Sequence, residues 1–321
     1  MQQLEFRAMG CQMLAALDRD DDSARAALAQ APIWFAEWEA SLSRFRDDSE
    51  LCALNRADGK PMQVSETMWQ VLGAALVAAR TSDGLVTPAL LDAVQAAGYD
   101  RSFESLAAST APADTLINKP IGDWRAIERT AKTRAVRLPR GMRLDLGGVA
   151  KGWAADQAAQ RLSAWGPALV DAGGDIAISA PMANGEAWPI AVADPFTADA
   201  DLDLLMVAQG GVATSGRDYR RWQRDGKWQH HIIDPRTGAP AETDVLTATV
   251  VAPTTAEAEV AAKVALILGS LKGLQWIETR PQLAGLLVLE NGQIVRSRRL
   301  DDYAWTEPIA SLGNLVLPVW R

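Results

Sequence analysis

The densest group of reactive side chains in this sequence is the run from His230 to Gly238. It reads His-His-Ile-Ile-Asp-Pro-Arg-Thr-Gly and contains the only two histidines of the chain. A histidine can take a proton from a hydroxyl near neutral pH, and an arginine fork binds phosphate. The run therefore favours phosphate or acyl chemistry. It leaves one alternative open, a strand from His231 to Ile233 that ends in a Pro-Arg-Thr-Gly turn.

Two glycine pairs lie next to acidic residues and have a composition suited to binding an anion. The first is in Asp145-Leu146-Gly147-Gly148-Val149-Ala150-Lys151-Gly152, and the second is Gly173-Gly174-Asp175. Glycines between a strand and a helix let backbone amides approach a phosphate, and Lys151 would add a full positive charge. The spacing matches neither GxGxxG nor GxxxxGK[ST], which argues against both common nucleotide-binding folds. A tight turn with Lys151 in water is the alternative.

The elements that must position these residues follow from hydrophobic periodicity and turn signals. Strands are predicted at residues 189–192, 204–207, 212–215, 228–233 and 247–251. Thr254 and Glu257 form a capping box for a helix that runs to Gly269, and residues 283–296 form a closing hairpin. No repeat or low-complexity linker divides the chain. We therefore predict a single α+β domain of mixed sheets and helices over residues 1–321, with two pseudo-similar lobes as an open alternative.

Composition excludes several classes of function. A chain of 321 residues with a formal net charge of −8 and a pI near 5.0 lacks the basic face that nucleic acids and anionic membranes require. Cys11 and Cys52 show no CxxC spacing, so neither a disulfide framework nor a zinc site is predicted. The N-terminus lacks the pattern of a leader, and no apolar run approaches the ~20 residues that span a bilayer. We expect a cytoplasmic protein with no nucleic-acid or membrane partner.

Each motif alone is weak, but their order along the chain is specific. That order is Ala8-Met9-Gly10, Ser43-Arg44-Phe45, Ser49-Glu50-Leu51 with Asn55, the run from Asp145 to Gly152, Gly173-Gly174-Asp175, Ala213-Thr214-Ser215-Gly216, and the run from His231 to Gly238. It resembles the FAD:protein FMN transferase family, also called the ApbE family. The resemblance extends from about Phe6 to Gly269. It implies a single ApbE-like (T-fold-like) domain.

The resemblance also implies a reaction. Members of this family bind FAD, cleave its pyrophosphate with the help of magnesium, and attach the FMN half through a phosphoester to a threonine or serine of an acceptor flavoprotein, releasing AMP. His231 and Asp234 would be the catalytic pair, with His231 as the base toward the acceptor hydroxyl. Two alternatives remain, an FAD-binding protein without transferase activity and an FAD pyrophosphatase that releases free FMN.

The remaining implied residues fall into two sets. The FAD site would include Met9, Gly10, Ser43, Arg44, Phe45, Asp145, Gly147, Gly148, Lys151, Gly174, Asp175, Thr214, Ser215, Gly216, Arg236, Thr237 and Lys263. The metal ligands would be the Ala150 carbonyl and Glu259.

One departure from the family pattern concerns the metal. The family commonly carries Asp and, four residues later, Thr as metal ligands, where this chain has Glu259 and Lys263. A charged lysine has three donors and no acceptor, so Lys263 cannot be a ligand. It is either half of an i,i+4 pair on a helix surface, worth ~0.3 to 0.5 kcal/mol, or an ammonium that takes the place of the cation beside the pyrophosphate. We favour the second interpretation.

Overall fold

The computed structural model of the chain describes residues 1–103, 121–224 and 226–305. Internal contacts divide the chain into two compact units. The first unit comprises Met1–Phe35, Lys151–Gly216 and Thr243–Arg321, and the second comprises Ala36–Ala150 and Arg217–Glu242. Helices and sheets are both present, so the predicted α+β class is confirmed.

The elements of the described residues are as follows. The strands are β1 Gln2–Ala8, β2 Cys11–Leu17, β3 Met62–Gln63, β4 Glu128–Thr130, β5 Ala135–Arg137, β6 Ala168–Ala172, β7 Asp175–Ile178, β8 Trp188–Ala193, β9 Asp201–Val207, β10 Gly210–Gly216, β11 Arg221–Arg224, β12 Lys227–His230, β13 Ile233–Asp234, β14 Ala239–Pro240, β15 Val245–Ala252, β16 Ala284–Leu289 and β17 Ile294–Arg296. The α-helices are α1 Asp22–Leu28, α2 Ala31–Leu42, α3 Glu50–Arg56, α4 Glu66–Thr81, α5 Leu91–Ala96, α6 Ala150–Leu162 and α7 Thr255–Glu278. Short 3₁₀ helices occur at Trp124–Ala126, Ala131–Thr133 and Arg298–Tyr303.

An eight-stranded antiparallel sheet forms the frame of the first unit. Its strand order is β1-β2-β6-β7-β10-β15-β16-β17. On one face, residues such as Leu14, Ile176 and Val212 pack with Trp188 of the β8–β9 hairpin in a buried cluster. Successive side chains of a strand point to opposite faces, and on the second face β10, β15 and β16 contact α7. The predicted strands at 189–192, 204–207, 212–215 and 247–251 and the closing hairpin are confirmed.

The longest helix, α7, begins where the sequence predicts, and its first helical stretch ends at Gly269 as predicted. The Thr254 hydroxyl accepts a hydrogen bond from the Glu257 amide at 3.2 Å, which confirms the cap. Helical structure continues to Glu278 after a break at Gly269, whose φ of 81° lies in the left-handed region that glycine tolerates. The Ser270 amide, which follows the break, donates a hydrogen bond to Asp244 Oδ1 at 2.8 Å.

By length and composition alone, α7 could cross a membrane, contrary to our expectation that no apolar run approaches that length. Half of its most apolar 18-residue stretch is buried inside the unit, where the helix packs on β10, β15 and β16. The core helix of a globular unit has the same composition as a membrane span because both remove apolar side chains from water.

Small sheets and short helices form the described part of the second unit. The order β3-β5-β4 gives a three-stranded antiparallel sheet, and β11–β12 and β13–β14 are hairpins. Ser49 caps α3 and Ser65 caps α4 through their side-chain oxygens. The Asn55 side chain on α3 exchanges two hydrogen bonds with the Leu144 backbone, at 2.9 and 2.7 Å. This pair fixes the start of the Asp145 to Gly152 segment against α3.

Replacing Gly211 by alanine should destabilise the first unit. A Cβ at Gly211 on β10 would overlap the backbone of Thr254 and Thr255, which cannot move without shifting α7. We expect a loss of about 1 to 3 kcal/mol or more in the free energy of unfolding, measured by urea denaturation. The control is Gly285→Ala on β16, where the new Cβ would mainly press on the movable Ile277 Cδ1. Equal stability of the two variants would contradict the close approach of β10 and α7.

Candidate functional site

In the second unit, the Arg44 guanidinium lies against two aromatic rings that also contact each other. Its Cζ is 4.1 Å from the Phe45 ring centroid and 4.5 Å from the Tyr99 ring centroid. Arg44 Nε pairs with Asp145 Oδ2 at 2.8 Å, and Nη1 donates to the Tyr99 carbonyl at 2.8 Å. Only 7% of the Arg44 side chain is exposed, so stacking and pairing both take place away from water and are strengthened. Arg44 thereby holds Asp145 and Tyr99 in fixed positions.

Asp145 in turn orders the first glycine turn. Its Oδ1 accepts from the Gly147 amide at 2.6 Å, and the Ala150 amide donates to the Leu146 carbonyl at 2.9 Å where α6 begins. Residues 142–146 form no strand, so the predicted strand-to-helix passage is wrong at its start, but the turn leads into α6 as predicted. The Gly147 amide is already used by Asp145, so the turn is fixed by the protein itself.

The aromatic rings of Tyr99 and Trp222 pack on each other, and Tyr99 also contacts His231, the second histidine of the pair. Trp222 on β11 packs on Tyr99 with ring centroids 5.5 Å apart, and its Nε1 donates to the Ala97 carbonyl at 3.0 Å. The His231 ring lies edge-on to Tyr99 at 6.5 Å and is half-buried. Sequence reasoning did not single out Tyr99 or Trp222. The one available signal was the aromatic residue directly after Gly98.

The predicted continuous strand through residues 228–233 is wrong at His231. Strand β12 ends at His230, and β13 begins at Ile233 to pair with Pro240 of β14. The chain bends between them because the Ala241 amide donates to the Ile232 carbonyl and starts a new hairpin. The predicted Pro-Arg-Thr-Gly turn is confirmed, with Gly238 at a φ of 70° and its amide on the Asp234 carbonyl.

Asp234 and Arg236 form a bidentate pair within this turn. Arg236 Nε and Nη2 donate to the Asp234 carboxylate at 2.9 and 2.7 Å, and the Arg236 amide adds a bond at 2.9 Å. Burial raises the pKa of the Asp234 carboxyl, but these hydrogen bonds outweigh burial and hold its pKa below the ordinary value. Asp234 is therefore ionised and held by Arg236. The Thr237 hydroxyl donates to the Asp234 carbonyl at 3.3 Å.

His230 faces different surroundings from its neighbour. It is 8% exposed, and its Nε2 lies 3.1 Å from the Ala241 carbonyl oxygen. A carbonyl only accepts, so Nε2 carries the proton in the neutral tautomer. Burial lowers the pKa of His230 to about 4. His230 is consequently uncharged near neutral pH and acts as a packing residue.

The lowered pKa of His230 makes the free energy of unfolding depend on pH. The folded protein binds a proton at His230 less tightly than the unfolded chain, so stability is retained above about pH 6.5 and lost as pH falls toward 4. The contribution of His230 to this loss is on the order of 3 kcal/mol. Urea midpoints at pH 7 and pH 4.5 measure it. In His230→Gln the extra loss should vanish, because that side chain does not titrate. An identical pH dependence in both proteins would refute the buried neutral imidazole.

In the first unit, the predicted nucleotide residues gather at the ends of β7 and β10. Asp175 is the register partner of Ala213, and the Thr214 amide donates to the Gly174 carbonyl at 3.2 Å. The Thr214 and Thr249 hydroxyls are hydrogen bonded at 2.9 Å. The next residues of β10, Ser215 and Gly216, complete the strand. Met9 and Gly10 form the β1–β2 turn at positive φ of 48° and 69°, as two-residue hairpins require.

Four charged side chains form one cluster beside these strand ends. Lys151 Nζ is hydrogen bonded to Asp175 Oδ2, and Lys263 Nζ donates to Glu259 Oε1 at 2.9 Å. Glu259 Oε2 accepts from the Gly152 amide at 3.0 Å. The exposed fractions are 17% for Lys151, 3% for Asp175, 16% for Lys263 and 0% for Glu259. We call these four residues the ion quartet.

Burial acts differently on the two acids of the ion quartet. Burial raises the pKa of the Asp175 carboxyl, and Lys151 does not fully offset it because the Glu259 carboxylate is also near. Burial would raise the pKa of Glu259 as well, but Lys263, Lys151 and the Gly152 amide outweigh it and hold that pKa below its ordinary value. Glu259 is therefore the acid of the ion quartet that holds its charge more readily, and Asp175 is the acid that accepts a proton more readily.

Asp156 is a further residue that sequence reasoning missed. Its carboxylate accepts from the Thr255 and Ala256 amides at 2.9 and 3.0 Å, which caps the start of α7 from α6. This contact fixes the helix that carries Glu259 and Lys263 relative to the helix that carries Lys151. Among the described residues, no group of three or more His, Cys, Asp or Glu side chains is arranged to hold a metal ion.

Comparison with known proteins identifies the family. A model of the ApbE family matches residues 9–287. The chain is 32% identical over 307 residues to the FAD:protein FMN transferase of Treponema pallidum, an alignment that covers 91% of this chain and 85% of that protein. It is 29% identical over 258 residues to the protein of the same name from Salmonella typhimurium, covering 78% and 73%. The chain belongs to the ApbE family.

Solved structures agree with this family. The ApbE protein from Thermotoga maritima matches with a TM-score of 0.83 and 25% identity, over 95% of this chain and 99% of that one. The flavin transferase ApbE from Vibrio cholerae matches with a TM-score of 0.77 and 21% identity, over 94% of this chain and 99% of that one, which indicates a shared fold.

Proposed function

We propose that this chain is an FAD:protein FMN transferase. The FMN half of FAD becomes attached through a phosphoester to a threonine or serine of an acceptor flavoprotein, and AMP leaves. Two relatives that align with most of this chain carry that name. The observation that carries the proposal is the half-buried His231 ring against Tyr99, directly before the turn that ends in Gly238.

In this transfer His231 is the general base. The acceptor hydroxyl oxygen attacks the phosphorus of the FMN half, the pyrophosphate P–O bond breaks, and AMP carries away the electron pair. The hydroxyl proton goes to the His231 imidazole. Such a transfer needs positioning and neutralisation of phosphate charge more than covalent chemistry. Arg236 orients and balances Asp234, and so keeps the Asp234 to Gly238 turn in shape beside the base.

One binding role follows from contacts within the first unit. We assign the pyrophosphate to the ion quartet, because its two ammonium groups supply N–H donors and positive charge. Magnesium is not assigned to this site, since Lys263 and Gly152 already donate to both oxygens of Glu259.

The proposed setting is the cytoplasm, with FAD and an acceptor flavoprotein as partners and neither nucleic acid nor a membrane. The net charge of −8 supports this, because both excluded partners are polyanionic surfaces. Cys11 and Cys52 are both free thiols, which is compatible with a reducing compartment.

Incubation with FAD and nucleotide analysis tests the proposal. AMP release together with protein-bound FMN supports transfer. AMP with free FMN would make the chain an FAD pyrophosphatase, and bound but intact FAD would make it a binding protein. The last two outcomes both contradict the proposed function.

A further inference from the structure

We infer that the Lys263 ammonium, and not a bound divalent cation, supplies the positive charge beside the FAD pyrophosphate, so FAD binds to this protein without metal. This inference rests on the proposed function. It concerns the cation dependence of that site, which neither the family match nor the names of the relatives determine.

The first step is the burial of the pair. A Glu–Lys i,i+4 pair on a helix surface keeps both side chains in water, whereas Glu259 is fully buried and the Lys263 side chain is 16% exposed. The surface-pair interpretation is therefore wrong for this helix. The Lys263 side chain is mostly buried, and its Nζ donates to Glu259 Oε1 at 2.9 Å.

The second step is the occupancy of the carboxylate oxygens. Magnesium takes about six oxygen ligands at about 2.0–2.1 Å in octahedral geometry. Glu259 Oε1 faces the Lys263 ammonium, and Oε2 faces the Gly152 amide. Hydrogen-bond donors therefore lie where a metal would have to bind. Asp175, the other acid of the ion quartet, is paired with Lys151.

The third step is the charge of the ion quartet. Two ammonium groups face two carboxylates, so the group is close to neutral before any ligand arrives. A divalent cation would therefore find both carboxylates already neutralised by ammonium groups, with no net negative charge left to hold it. Lys263 has three N–H donors and uses one on Glu259, so the others can reach a phosphate oxygen through its exposed fraction.

The test is a titration of FAD by flavin fluorescence, using the full chain after exhaustive EDTA treatment. We expect the Kd with EDTA and the Kd with added Mg²⁺ to agree within about three-fold. Binding that appears only with Mg²⁺, or tightens more than about ten-fold with it, would overturn the inference and leave the proposed function standing. Absence of FAD binding under both conditions would overturn the proposed function itself.

A second measurement follows Mn²⁺ binding to the protein without FAD, by electron paramagnetic resonance. The wild-type chain should bind no Mn²⁺ at this position. The double variant Glu259→Asp with Lys263→Thr should gain one site per chain, because an acceptor oxygen replaces a cation. Its FAD affinity should fall in EDTA and recover with Mn²⁺. Lys272→Thr, an exposed lysine on the same helix, is the control and should change neither quantity.

Circular dichroism verifies that the double variant folds. If the double variant does not fold, the FAD titration and the Mn²⁺ measurement on the wild-type chain still test the inference. One tightly bound Mn²⁺ per wild-type chain, unchanged in Lys263→Thr alone, would overturn the inference.

Discussion

Replacement of His231 by alanine is expected to lower the rate of FMN transfer by about 10²- to 10⁴-fold, because a general base acts in the transition state. Affinity for FAD should stay within about three-fold of the wild-type value, since the base contributes little to ground-state binding. Rates of AMP release and fluorescence titration with FAD measure the two quantities. Added imidazole should restore part of the lost rate, which a purely structural role of the His231 ring would not allow.

The adjacent histidine is the matched control. His230 is buried on the Ala241 carbonyl and has a pKa of about 4, so it is not suited to a base near neutral pH. His230→Gln preserves a donor for that carbonyl and should keep most of the transfer rate. An inactive His230→Gln variant beside an active His231→Ala variant would reverse the assignment of the two residues.

The largest expected effect on stability is at Glu259. Glu259→Ala removes a fully buried carboxylate and leaves Lys263 and the Gly152 amide without their acceptor. Removing one partner of a buried ion pair costs about 3 to 5 kcal/mol, and we expect a loss in this range by urea denaturation. The control Glu257→Ala lies on the same helix, but its side chain is exposed, and it should lose less than about 1 kcal/mol.

A double-mutant cycle separates the pair from its surroundings. Glu259→Met and Lys263→Met should each destabilise the first unit, and the double variant should be more stable than the sum of the two losses by about 1 to 3 kcal/mol. Strict additivity would mean that the hydrogen bond between Lys263 and Glu259 contributes nothing to folding.

Features that depend on local sequence were predictable. The Thr254 cap and the hairpin after Leu289 follow from turn and cap chemistry within a few residues. The ordered set of motifs is specific enough to indicate the family from the sequence alone. Local signals fail where tertiary contacts decide. The strand through His231 is broken because Ile233 pairs with β14. A second helical stretch that the sequence did not predict follows the break at Gly269, where Asp244 receives the Ser270 amide.

The ion quartet shows the same limit within the candidate site. Lys263 and Glu259 are four residues apart, so their pairing was predictable, but their burial was not. That burial follows from α7 packing on β10, β15 and β16 and from Asp156 capping its first turn. The contacts of Arg44 and Phe45 with Tyr99 likewise join residues distant in sequence. Each of these two sets of contacts forms only in the folded chain.

The most direct test of the central claim is the intact mass of an acceptor flavoprotein after incubation with this protein and FAD. We expect the acceptor to gain the mass of one FMN less water, with one AMP released for each FMN attached and the modification on a threonine or serine. An unmodified acceptor in the presence of AMP and free FMN, or FAD recovered intact, would contradict the account.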